Sequence, residues 1–223
     1  MRTGRSWATT FARFQAGRTP FLGPIAIRVA DWSRPQRGEA PMFENTWLER
    51  LSIAHPAVPF AVYAPAGVWF AWRALASGRT PARVAGGYLA GLVIWSLLEY
   101  VAHRASFHHA PTSRLQLAFG YLMHGVHHAY PDDSRRWVMP LGVTVPIAIV
   151  LYLLAGRLAP AAFGGFLHGY LTYDLLHYFI HRGRLPTPLG RFLRQYHMTH
   201  HYATPDRHFG VSSPFWDVVF RTR

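Results

Sequence analysis

The chain alternates between long apolar stretches and polar, basic segments. The apolar stretches fall at about 56–73, 84–102, 138–155 and 160–180, each close to the roughly 20 residues a helix needs to cross a hydrocarbon core. The pattern predicts an all-α, integral membrane protein with four transmembrane helices. Short connections, Ala74–Arg83 and Gly156–Ala159, join the spans in pairs, giving two hairpins with a polar stretch, 103–137, between them. Pro59, Pro65 and Pro146 interrupt the first and third spans, as membrane helices allow when neighbours satisfy the freed backbone groups. In the polar stretch, Ser113 followed by Leu115, Leu117, Phe119, Leu122 and Met123 predicts a capped helix over 113–128. A second short helix is expected over Leu189–His201. Together they would form a cytoplasmic helical cap on a membrane domain of residues 53–223, preceded by a basic arm, 1–52.

Composition sharpens this picture. Half of the 223 residues are hydrophobic and only 15% are charged, against about a quarter charged in a soluble domain. The 23 basic residues are all arginine, against 10 acidic ones. Nucleic acid and anionic lipid headgroups would both suit that charge, but the apolar stretches favour lipid, and no nucleic-acid reader motif is present. Eight arginines precede the first span, four lie in 103–137 and seven follow residue 181, against Arg73, Arg79, Arg83 and Arg157 in the two short connections. By the positive-inside rule this places both termini and the polar stretch in the cytoplasm, with a bacterial inner membrane the expected location. Arg2, Arg5, Arg13, Arg18 and Arg28 lie among the first thirty residues without an acid, a pattern that also suits a transit peptide. The same arginine bias along the whole chain favours a cytoplasmic arm. Cysteine is absent, which excludes disulfides, thiolate metal sites and thiol catalysis.

The 14 histidines concentrate in four groups: His103 and His108 in HRASFH; His124, His127 and His128 in HGVHH; His177 and His181 in HYFIH; His197, His200 and His201 in HMTHH. Residues three and four apart share a helix face, so three groups present imidazoles on one side of a helix. His103 and His108 are five apart and need a helix end or bend to converge. Ten imidazoles brought together would repel one another if protonated. Neutral imidazole is a common ligand for iron and zinc, and ten exceed what one ion can take, so two ions are expected. Ligand histidines often donate their other ring nitrogen to a carboxylate; Glu99 and Asp174 lie one turn from His103 and His177 and are candidates for that role. Asp132, Asp133, Arg135 and Arg136 are candidates for a charge cluster beneath the site, or for a solvated loop. His55 and His168 fall outside the pattern and read as a loop residue and a packed helix residue. His208 fits neither group clearly.

These motifs resemble the fatty-acid hydroxylase and sterol desaturase superfamily, whose signature is HRxxFH, HGxHH, HxxxH and HxxHH in this order. The match covers about residues 95–220. The stretches HGVHHAYPDDSRRWVMP, GYLTYDLLHYFIH and HFGVSSPFWDVVF are most similar to the fatty-acid 2-hydroxylase branch. The resemblance implies that His103, His108, His124, His127, His128, His177, His181, His197, His200 and His201 hold two iron ions, which zinc can replace in purified protein. It further implies that O2 and two external electrons hydroxylate an acyl chain of a lipid or fatty acid, at carbon 2, in a greasy tunnel. The cytochrome b5 domain of many relatives, with its HPGG motif, has no counterpart here: His55-Pro56 is followed by Ala57. A separate electron donor, a ferredoxin or a cytochrome with its reductase, is therefore expected. A desaturase or hydroxylase of the sterol or carotenoid type shares the ligands. Outside the superfamily, a membrane metal transporter or buffer would want ligands at mid-membrane, and a haem protein would leave most of the ten histidines unexplained.

Overall fold

The computed structural model describes residues 19–21, 25–30, 35–108, 111 and 113–223. Arg2, Arg5, Arg13 and Arg18 of the expected arm lie outside the described residues. An antiparallel pair, β1 (Thr19–Phe21) and β2 (Ile25–Ile27), is followed by a chain that is otherwise helical. Short α1 spans Thr46–Leu51, and the first hairpin is α2 (Ala57–Ala76) and α3 (Pro81–Val101). Thr80 caps α3 through its side chain, with Pro81 in the first turn, where a missing N–H costs nothing. The cap helix runs through α4 (Arg114–Gly120), a π-helical turn (Tyr121–Gly125) and α5 (Val126–Ala129). Ser113 caps it by accepting from Gln116 N at 3.2 Å, as its sequence suggests. The second hairpin is α6 (Leu141–Leu151), continued by a π-helical turn (Tyr152–Gly156), and α7 (Pro160–Arg182). Gly183 ends α7 at φ 70°, the left-handed position glycine occupies without strain. Helices α8 (Pro188–Tyr202) and α9 (Phe215–Val219) complete the chain.

Helix α7 is the axis of the bundle, with α3 packed along one side and α2 along another. Backbone-to-backbone approach makes this possible: a Cβ at Gly91 would overlap the carbonyl oxygen of Ala162, and one at Gly165 that of Tyr88. Small residues at helix interfaces permit such approach in membranes. Arg73 reaches Tyr152 Oη at 3.3 Å and Arg79 reaches the Leu158 carbonyl at 3.3 Å, so the two short connections lie together, at the end opposite the histidines.

Two runs among the described residues, Pro81–Phe107 and Ser134–Gly156, are long and apolar enough to cross a membrane. Helices α2 and α7 have 20 and 23 residues, matching the expected lengths, but not that apolarity. The reason in α7 is its central position, which puts Tyr170, Asp174 and His177 inside the bundle. In the third stretch the helix begins at Leu141 instead of 138, after Pro140. Val93 and Ile94 of α3 and Ile147, Val150 and Leu154 on the α6 rod are exposed, forming apolar surface of the kind that contacts lipid.

Described residues of the 1–52 segment fold back onto the cap. Ile27, Ala40 and Met42 are buried with Leu117, Ala118 and Tyr121. Arg136 donates to the Ala40 carbonyl at 2.7 Å and to Ser52 Oγ at 2.8 Å, and pairs with Glu49 and, at 3.4 Å, with Asp133. Asp133 also accepts from Ala40 N at 2.9 Å and pairs with Arg135. Burial pushes its carboxyl up, but Arg135 and the backbone donors outweigh this and hold it below the ordinary range. Of the charges after HGVHH, Asp133, Arg135 and Arg136 therefore fasten the N-terminal segment to the cap, while Asp132 is exposed and in no ion pair among the described residues.

Candidate metal centre

Each histidine group is aimed by a local feature of its helix. Residues 102–107 form a π-helical turn, in which His108 N donates to the His103 carbonyl at 3.2 Å. An i→i+5 bond adds about one residue per turn, and this brings histidines five apart onto one face. That is the bend the spacing requires. His177/His181 and His197/His201 share faces of regular helix, one turn apart.

The ten rings divide into two sets of five. His103, His108, His124, His128 and His200 form one, and His127, His177, His181, His197 and His201 the other; within each, one nitrogen per ring lies within 4.8 Å of all the rest. HGVHH serves both sets, sending His124 and His128 one way and His127 the other, and HMTHH divides likewise.

Neighbouring rings meet Nε2 to Nε2. His103–His124 and His127–His177 are 2.9 Å apart, His127–His201, His181–His197 and His197–His201 3.0 Å, His108–His200 3.1 Å and His128–His200 3.2 Å. Four rings are anchored on a backbone carbonyl, His181 on that of Pro131. His103 Nδ1 donates to the Phe209 carbonyl, His177 Nδ1 to that of Trp137 at 2.7 Å and His200 Nδ1 to that of Arg207 at 2.6 Å, leaving each Nε2 with a bare lone pair. Protons are a poor way to hold such nitrogens together here: burial first, and then the charge of neighbouring imidazoles, pushes His108, His124, His127, His128, His197 and His201 well below their ordinary pKa. A divalent ion fits better. Nitrogens bonded at about 2.1 Å at right angles to one another would be about 3.0 Å apart, in the middle of the observed range.

The two carboxylates expected to receive ring N–H groups bond elsewhere. Glu99 accepts from Val211 N and Ser212 N at 2.8 Å each and from Ser212 Oγ at 2.6 Å. Asp174 accepts from Met139 N at 3.1 Å and Tyr170 Oη at 3.2 Å. Both hold loops whose carbonyls receive the ring protons, and so act on the histidines one bond further out. Asp217, which helical spacing does not point to, does the same: fully buried, it accepts from Phe209 N at 3.0 Å, Gly210 N at 2.7 Å and Thr222 Oγ1 at 2.7 Å. Its signal was an acid within the apolar HFGVSSPFWDVVF. His55 Nδ1 caps the start of α2, accepting from Ala57 N at 3.2 Å. His168 is packed in the bundle against the Ala64 carbonyl at 2.8 Å and against Tyr88. His208, at φ 59°, bonds Thr204 Oγ1 at 2.8 Å and belongs to neither set.

Two cavities meet beside the rings. One of about 260 Å³ runs between the helices past Leu98, Ala102, His103, Phe107 and Ile147. The other, of about 370 Å³, lies under the N-terminal segment and reaches His124, His127 and His177. Phe119, Met123, Met139, Val143 and Tyr173 line both.

Apolar helices that end in a buried, all-imidazole centre define a class of helical protein able to hold two metal ions. The chain belongs to the fatty acid hydroxylase family, whose model matches residues 88–222, a stretch that includes all ten histidines. It is 35% identical to the dihydroceramide fatty acyl 2-hydroxylase FAH1 of Arabidopsis thaliana over 171 residues, 74% of this chain and 72% of that one. It is 38% identical to the ceramide very long chain fatty acid hydroxylase SCS7 of Saccharomyces cerevisiae over 195 residues, covering 83% of this chain but 50% of that protein. A solved structure titled full length scs7p, with only the hydroxylase domain visible, matches 99% of this chain and 90% of its own at 31% identity and a TM-score of 0.81. The 2-hydroxylase branch read from the motifs is the branch that the Arabidopsis relative carries in its name.

Proposed function

We propose that the chain is a membrane-embedded, O2-dependent lipid hydroxylase in which the ten histidines hold two iron ions and the acyl chain is hydroxylated at carbon 2. The observation that carries the reading is the Nε2-to-Nε2 spacing of 2.9–3.2 Å within two sets of five. Five nitrogen ligands per ion also differ from the four of a structural zinc site. When bound, the metals would supply O2 activation, replacing one C–H bond by C–O.

The chain's own residues have three tasks. The carbonyls of Phe209, Trp137 and Arg207 hold His103, His177 and His200 as the tautomer with Nε2 free. Burial of the rings keeps water from the reacting carbon. The cavities orient the substrate: carbon 2 adjoins the carbonyl, so a tail in the apolar cavity and a headgroup in the cavity bordered by Ser52 and Arg136 would place it where the two meet. Met123 and Met139 at this junction are flexible enough to accommodate a passing chain. The exposed apolar surface of α3 and α6 supports a membrane setting, and the arginine distribution supports a cytoplasmic site.

The position of attack is tested by supplying an acyl chain deuterated at carbon 2, as ceramide and as free acid, to cells making the protein. Hydroxylated product that has lost one deuterium is expected. Hydroxylated product retaining both would place the reaction elsewhere on the chain.

A further inference from the structure

Hydroxylation with O2 balances as R–H + O2 + 2e⁻ + 2H⁺ → R–OH + H2O: one oxygen atom enters the new C–O bond, the other leaves as water, and an external reductant gives up two electrons. Where those electrons enter is legible on the outside of α8. Its inner face carries His197, His200 and His201, all buried. Its outer stripe is Arg191, Gln195 and Tyr202, with Arg194 beside it, all exposed, flanked by exposed Arg184 before the helix and exposed Arg207 after it. Asp206 stands in the same turn and Asp132 acts on Tyr202. Neither pairs with these arginines, since the four ion pairs among the described residues all use Arg135 or Arg136. Among the described residues Arg184, Arg191 and Arg194 have no carboxylate partner, while Arg207 donates to the Arg223 oxygen at 2.9 Å. Together they make a strongly positive surface over the exposed arc of a helix about 10 Å across, with Arg194 at the edge of that arc nearest the imidazoles.

The same face has a direct connection inward. Arg207, whose side chain is exposed, contributes the carbonyl that accepts from His200 Nδ1 at 2.6 Å. An electron arriving at the 204–207 turn is thus one hydrogen bond from a ring of the first set. On the reading of the chain as a hydroxylase, we propose that the outer face of α8 with the 204–207 turn docks an acidic, one-electron carrier protein. Charge complementarity selects that partner: opposite potentials steer encounter and fix orientation. The polar stripe of Arg191, Arg194 and Gln195 is unsuited to burial in lipid.

The test uses the full chain in neutral-lipid nanodiscs, with a plant-type [2Fe–2S] ferredoxin and a soluble cytochrome b5 as probes. At least one should bind, more weakly as salt rises. Reversing the face with Arg191→Glu and Arg194→Glu together should weaken that binding and raise the KM for the carrier by about tenfold or more, while Arg191→Lys with Arg194→Lys keeps most of both. Metal content and turnover driven by dithionite through an uncharged mediator should not change in either double variant. The proposal is overturned if neither carrier binds, if charge reversal leaves binding unaltered, or if the reversal abolishes only attachment to anionic vesicles. Absence of any dithionite-driven product would instead count against the hydroxylase reading, with the binding result standing separately.

Discussion

The two sets of histidines are alike in number and spacing but differ in what holds them. In the first set, His103 and His200 are anchored outward on carbonyls of Phe209 and Arg207. The loop that carries Phe209 is in turn fixed by Glu99 and Asp217. In the second set His177 is anchored on the Trp137 carbonyl and His181 on that of Pro131, whereas Nδ1 of His127, His197 and His201 has no partner among the described residues. Regular helix contributes more to the second set, since His177/His181 and His197/His201 are one-turn pairs. The first set depends on a π-helical turn and on a C-terminal loop held by buried carboxylates. Both sets thus use hydrogen bonds to distant segments, Asp174 supporting the anchor of His177 as Glu99 and Asp217 support that of His103, but only the first set also needs a π-helical turn to bring two of its rings, His103 and His108, onto one face.

The largest effect follows from removing one ring of each set. His128→Ala and His201→Ala should each abolish product formation, and elemental analysis should show each variant losing metal, His128→Ala from the first set and His201→Ala from the second. Equal loss of both metals in either variant would show the sets to be one cooperative unit. Next comes Asp217→Ala, which leaves two buried backbone donors unpaired and should cost about 2–4 kcal/mol of stability. If the comparison is right, thermal unfolding and metal counts will show the first set emptied while the second is retained. Uniform loss would mean that the loop supports the whole cap.

A smaller, graded effect comes from pH. Burial, offset in part by the Arg207 carbonyl, holds His200 down to about 4, and other rings of both sets lie well below 6.5. Between these values the unfolded chain binds more protons than the folded one, so stability rises with pH through that window and is level above it. Metal-free protein should therefore lose stability as pH falls from about 6.5 toward 4, and chemical denaturation across that range measures it. The smallest effect is that of His55→Ala. It removes one exposed cap bond outside both sets and should leave metal content and activity within error of the parent protein.

Much of this was legible in the sequence because helical spacing is local. Four clusters of histidine, three with one-turn spacing, name the ten rings without a structure, and the five-residue gap of HRASFH announces a departure from regular helix. The division into sets was not legible. It depends on which way the cap helix is rotated about its axis, and the π-helical turn at Tyr121–Gly125 changes that rotation just before His127. Glu99 and Asp174 were found by spacing, but spacing gives only the face of a helix, and on that face the donors they meet belong in large part to loops arriving from over 100 and from 35 residues away. Hydropathy likewise located four helices but credits only two runs with the apolarity of a span, because α7 turns its polar residues toward its neighbours and the centre.

The most direct test of the central claim joins chemistry to metal in one experiment. The protein and its His201→Ala variant would be expressed in cells of controlled lipid content, with acyl chains compared by mass spectrometry and iron and zinc counted per chain. The account expects a product heavier by one oxygen with the parent protein only, together with two metals per chain that the variant fails to retain in full. The same hydroxylated lipids made by both proteins, or a full metal complement in the variant, would contradict it.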